Sequence, residues 1–142
     1  MQRFIRPSIV ACGPLPFRCD VQRHRAAADV FPTGELDLAT APIVEQELEW
    51  LREARLRNVV LDLRDVTFMD VAGLRLILRW SAAARRDWSC FAVVPGPSHV
   101  QRLFEMTATE KQVQFTGASV LRNRSSIPPP RHLRGLNRFV RS

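Results

Sequence analysis

The stretch from Asn58 to Trp80, NVVLDLRDVTFMDVAGLRLILRW, constrains this chain more than any other, because the apolar period changes inside it. Val59 to Leu63 is apolar except for Asp62, the composition of a strand buried on both faces within a parallel sheet. A second apolar group, Val66, Phe68 and Met69, leads to Asp70, which is placed to cap a helix running from Val71 or Ala72 to Arg86. In that helix Leu74, Ile77, Leu78 and Ser81 form the inward face, Leu76 and Trp80 lie on its flanks, and Arg75, Arg79 and Arg86 make an outward basic edge. A buried strand that turns directly into an amphipathic helix requires a sheet with helices packed against it.

The flanking segments fit the same architecture. Phe17 to Val21 alternates apolar and polar residues, the period of a half-buried strand, and Ala27 to Gly34 is expected to return beside it through a turn at His24 to Ala26. Pro32 has no amide hydrogen, so the strand must either end there or turn that nitrogen away from any neighbour. Thr40 followed by Pro42 reads as a helix start, with Thr40 as the cap of a helix from Ala41 to Arg55. Its inward stripe is Ile43 or Val44, Leu48, Leu51 and Ala54, with Glu45, Glu49, Arg52 and Glu53 outward and ion pairs expected for Glu49 with Arg52 and Glu53 with Arg57.

Cys90 to Val94 is another apolar strand, closed by Pro95-Gly96-Pro97. Ser98 is placed to cap a short helix with Val100, Leu103, Phe104 and Met106 inward, and Val113 to Phe115 reads as a last strand. The order β-β-α-β-α-β-α-β predicts an α/β fold: a mixed sheet of four to five strands, an antiparallel hairpin at its start, and right-handed crossovers thereafter.

A chain of 142 residues suits one domain with tails. Its net charge of +7 is unevenly placed: six arginines and no acid follow Gly117, whereas Met1 to Thr116 holds 15 basic against 14 acidic residues. The expected division is a leader at 1–16, a domain at 17–116, and a disordered, basic, Pro/Arg-rich tail at 117–142 whose few large apolar residues cannot offset the entropy of ordering. That tail offers a minor route to nucleic acid or an anionic surface, but aromatic interleaving and DNA-reading motifs are missing, so nucleic acid is not expected as the partner. Cys12, Cys19 and Cys90 have no paired spacing and the three histidines are scattered, so neither a metal site nor a cofactor is expected. Free thiols, the proline-broken N-terminus and the lack of a span-length apolar run point to the cytoplasm.

Three separated pieces, GELDLATAP at Gly34 to Pro42, LDLRDVTFMDVAGL at Leu61 to Leu74 and PGPSHVQRLFEMT at Pro95 to Thr107, together resemble the STAS domain of bacterial anti-sigma-factor antagonists. The resemblance covers roughly Phe17 to Thr116 and implies a small, non-enzymatic, cytoplasmic protein-binding module in transcription regulation. Its implied partner is an anti-sigma factor with a histidine-kinase-like ATPase fold that also acts as a serine kinase. In that family the turn reads Asp-Ser-Ser/Thr-Gly-Leu and its first hydroxyl is phosphorylated, which releases the partner. Here it reads Asp70-Val71-Ala72-Gly73-Leu74, so the family's phosphorylation position is occupied by Val71 and the usual switch is absent.

The partner-binding surface implied by the resemblance comprises Asp70, Val71, Ala72, Gly73, Leu74 and Arg75, joined by Glu35 and Asp37. Each also has a plainer role. Asp70 caps a helix, Gly73 permits close approach of the helix start to its own sheet or to a partner, Glu35 and Asp37 solvate a turn, and the arginine edge is a solvated helix face. No nucleophile stands at a recognisable spacing from a base and no glycine-rich loop is present to cradle phosphate, so neither catalysis nor a small-molecule substrate is expected. An accessory or scaffold subunit of a transporter ATPase complex or of a signalling assembly is the alternative, since STAS subunits beside transporter ATPases need no phosphorylation. The oligomeric state is not readable from the chain.

Overall fold

The computed structural model describes residues 17–87 and 89–122. The expected leader at 1–16 and most of the expected tail therefore lie outside the described residues. The elements in chain order are β1 (Arg18–Arg23), β2 (Ala27–Leu36), α1 (Ala41–Glu53), β3 (Asn58–Asp62), β4 (Val66–Met69), α2 (Val71–Arg86), β5 (Cys90–Val94), α3 (Ser98–Met106), a 3₁₀ turn (Glu110–Gln112), β6 (Gln114–Phe115) and α4 (Ser119–Arg122). The sheet order is β1-β2-β3-β5-β6, with β4 also paired to β2; β1 and β2 run antiparallel and the other pairs are parallel.

The expected mixed α/β sheet is present, with six strands in place of four to five. The additional strand is β4, where the sequence showed only an apolar lead-in to Asp70. β3 and β4 flank the same side of β2 in succession: β3 pairs with Ala27 to Val30, and β4 with Gly34 to Leu36. The chain turns between them at Arg64 and Asp65, where the Gly34 amide donates to the Asp65 carbonyl at 3.1 Å. Pro32 sits within β2 opposite Cys19, in the interval between those two ladders, where a missing donor forfeits no bond to β3 or β4.

Val30, Leu61 and Val93 of the central strands meet Val44, Leu48 and Leu51 of α1 and Leu74, Leu76 and Ile77 of α2 in one buried cluster. Leu76, expected at the flank of α2, is fully buried, and Leu78 is only partly so. Ala54 is exposed, and Glu47, a position the stripe of α1 did not include, is buried. Val100 and Phe104 extend the cluster from α3, with the Phe104 ring edge-on to Phe115 at 5.2 Å between centroids. Met106, expected inward, is exposed.

On the opposite sheet face, Val60, Ala92 and Val94 form a second cluster against Ala118, Val120 and Leu121. Gly117 to Arg122, expected at the start of the tail, are therefore a turn and α4, and the ordered chain extends past Thr116. The apolar residues of α4 were overlooked because they stand within a basic, proline-rich context.

The ion pair of Glu49 with Arg52 forms at 3.0 Å as expected. Arg57, expected to meet Glu53, donates to the Asp87 carbonyl at 2.9 Å, and Arg79, exposed as expected, pairs with Glu45 of α1 at 2.7 Å. The Cys19 thiol is fully buried, and burial pushes its pKa up.

Candidate functional site

The C-terminal ends of β2 and β4 converge on the N-terminus of α2, and Asp70 holds them together. Its backbone is extended, as a helix cap requires, and Oδ1 accepts from the amides of Ala72 at 2.8 Å and Gly73 at 3.2 Å. Oδ2 reaches across to the Leu38 amide at 3.3 Å in the β2–α1 loop. One carboxylate therefore caps α2 and fixes the loop beside it, a second role invisible in the sequence because the partner is 32 residues away.

Gly73 is buried against its own sheet. A Cβ there would stand 2.6 Å from Met69 Cγ and 2.8 Å from the Leu36 carbonyl oxygen, and the second contact is with backbone. Of the two possibilities for Gly73, close approach to the sheet is thus the one present.

The adjacent loop is built by Asp37, not by the expected cap Thr40. Asp37 Oδ1 accepts from the amides of Ala39 at 2.9 Å and Thr40 at 3.1 Å, and its carbonyl accepts from the Ala41 amide at 2.8 Å. Thr40 has helical backbone angles and makes no cap bond; its Oγ1 accepts from the Asp37 amide and donates to the Glu35 carbonyl at 2.6 Å. The helical turn effectively begins one turn early, so an Asp-initiated turn outcompetes the Thr cap. Ser98 likewise begins α3 without capping it, since Pro97 occupies the cap position.

The eight expected site residues separate by exposure. Glu35, Val71 and Arg75 are exposed, Asp37, Asp70 and Ala72 are half-buried, and Gly73 and Leu74 are buried. The last two support the surface from beneath. Two exposed residues were missed: Leu38 at 77% and Phe68 at 48% exposure join Val71 at 50% among the few large apolar side chains left open to solvent.

Leu38 adjoins Asp70 through the bond described above. Phe68 is opposite Glu35 in the β2–β4 ladder and faces out because the register slips there: Gly34 pairs with Val66 and Glu35 with Phe68, leaving Thr67 as the extra residue. His99 of α3 secures that bulge through a bond to the Thr67 carbonyl. A strict two-residue alternation from Val66 places Phe68 inward, and the single polar residue of VTFM, Thr67, gives no sign of the bulge.

Leu38, Phe68 and Val71 are therefore exposed apolar side chains on the segments that meet at Asp70, and Glu35 and Arg75 are exposed charges on the same segments. Neither Val71 nor Ala72 carries a hydroxyl. Among the described residues, no group of three or more His, Cys, Asp or Glu side chains is arranged to hold a metal, and no helix is long and apolar enough to cross a membrane.

Residues 19–121 match the family described as "Mlab, STAS domain". An anti-sigma-B factor antagonist of Staphylococcus aureus is 31% identical over 74 residues, covering 52% of this chain and 68% of that protein. In three dimensions, an anti-sigma factor antagonist from Mycobacterium paratuberculosis superimposes with a TM-score of 0.63 at 23% identity, covering 78% of this chain and 93% of that one. SpoIIAA in its unphosphorylated form gives 0.63 at 13% identity, covering 75% and 95% respectively.

Proposed function

The chain belongs to the STAS domain family, and from that premise we propose that it is a non-enzymatic binding module of the anti-sigma-factor-antagonist type that docks through the corner around Asp70. The observation that carries this reading is the exposed trio of Leu38, Phe68 and Val71 on a backbone held by Asp70, Asp37 and Gly73. Apolar side chains on a preorganised corner lose little freedom on binding, so their desolvation is retained as affinity. Glu35 and Arg75 supply opposite charges at the border and thereby orientation.

The partner in this reading is an anti-sigma factor with a histidine-kinase-like ATPase fold. In a hydroxyl-bearing relative, phosphate would place about −1.5 to −2 charges in such an interface. Val71 and Ala72 cannot accept phosphate, so the complex formed here is not released by modification at this turn. The same lack of a hydroxyl fits the second reading, a permanent scaffold subunit of a transporter ATPase assembly, where release is not needed.

Affinity isolation from the native cell, performed in parallel with the wild type and with Val71→Asp, distinguishes these readings. The proposal expects a kinase-like anti-sigma factor retained by the wild type and lost from the variant. Recovery of a transporter ATPase in the same pattern selects the scaffold, and equal recovery of partners by both proteins eliminates the corner as the docking site.

A further inference from the structure

The opposite end of the sheet carries a cavity that the docking corner does not use. Its volume is about 440 Å³, and it lies where the starts of β3 and β5 meet the C-terminal halves of α1 and α2. Its floor is apolar, with Leu48, Leu56, Val59, Phe91 and the flank of Trp80, whereas four arginines, Arg52, Arg55, Arg57 and Arg86, stand around it against the single acid Asp87. A volume in the range of about 300 to 1,000 Å³ with an apolar floor and a few charged groups matches small-molecule sites better than flat protein interfaces.

Two of the four guanidinium groups are engaged elsewhere. Arg52 pairs with Glu49 and lies 5.5 Å from the centroid of the Trp80 ring, and Arg57 donates to the Asp87 carbonyl. Arg55 and Arg86 are exposed at the cavity and, among the described residues, are the ones left to meet a ligand.

Arg55 carries a second observation. It occupies the position just past the end of α1 with φ of 63°, in a motif closed by the Arg55 amide on the Arg52 carbonyl at 2.9 Å and the Leu56 amide on the Leu51 carbonyl at 3.0 Å. Glycine is the residue that such a left-handed position favours, because a Cβ there is strained. Those two hydrogen bonds hold Arg55 at the edge of the arginine-rimmed cavity.

We infer that this cavity binds a small amphiphilic anion, a phosphate or carboxylate head on an apolar body, with the head between Arg55 and Arg86 and the body over Trp80 and Phe91. Planar guanidinium forks suit both kinds of oxyanion, so the head group is set by the ligand's source. The site is a binding site only, and it stands independently of the docking proposal, being at the other end of the strands.

Calorimetric titration of the full chain with decyl phosphate and with decanoate, each below its micelle-forming concentration, tests the inference. Decyl maltoside serves as the neutral control and inorganic phosphate as the head group alone. Arg55→Gly removes the guanidinium while relieving the backbone, so its Tm should hold or rise; Arg86→Gln changes an exposed side chain. Binding of either anionic amphiphile that weakens about tenfold in each variant supports the site, and the tighter of the two identifies the head group. The inference is overturned if decyl maltoside or phosphate alone binds as well, if both variants bind like the wild type, or if neither amphiphile binds at about 1 mM. Binding of polyglutamate in their place also overturns it, by assigning the arginines to an acidic macromolecule.

Discussion

Asp70 serves two elements with its two carboxylate oxygens, so its removal should cost more than an ordinary cap. Asp70→Ala is expected to lower stability by about 1 to 2 kcal/mol in urea unfolding and to loosen the Leu38 amide in hydrogen exchange, whereas Asp70→Asn retains most of the capping. Gly73 makes the complementary case for steric need. Gly73→Ala must relieve clashes with both Met69 Cγ and the Leu36 carbonyl oxygen, and overpacking of that kind costs about 1 to 3 kcal/mol, read as a lower urea midpoint with unchanged slope. At Asp37 the two amide bonds that its side chain accepts, from Ala39 and Thr40, set the expectation: Asp37→Ala should cost about 1 kcal/mol, while Glu35→Gln, at an exposed side chain, leaves the midpoint in place.

At the scale of elements, periodicity found what repetition can encode. The stripes of α1 and α2, the apolar runs of β3 and β5, and the cap at Asp70 were legible because each is a local pattern with a local cause. β4 was not, since four residues with a bulge carry too short a period to separate strand from lead-in, and the same bulge hid the outward turn of Phe68. Thr40 misled for a related reason: a helix-start pattern fits both Thr40 and Asp37, and only the three-dimensional turn decides between them. Leu38 follows two residues after buried Leu36 and reads as its in-phase partner, but β2 ends at Leu36 and the phase is lost. The corner's supporting residues were thus readable, while two of its three exposed apolar contacts depended on a bulge and a strand end.

Across the whole molecule, the sheet separates two chemistries. Its one end presents apolar side chains on a corner fixed by Asp70, and its other end holds the arginine-rimmed cavity between α1 and α2. The domain reaches beyond the boundary expected at Thr116, since α4 is attached to it by the packing of Ala118, Val120 and Leu121 on Val60, Ala92 and Val94. The proposed docking of a kinase-like anti-sigma factor at the corner has no phosphate-controlled release. Size-exclusion chromatography of the wild type with the purified anti-sigma factor from the same genome, before and after incubation with magnesium and ATP, tests it directly. The expected result is one complex that survives ATP with no phosphate on this chain and fails to form with Leu38→Asp/Phe68→Asp/Val71→Asp; dissociation on ATP with phosphate transferred to this chain, or an undiminished complex with the triple variant, rules this docking out.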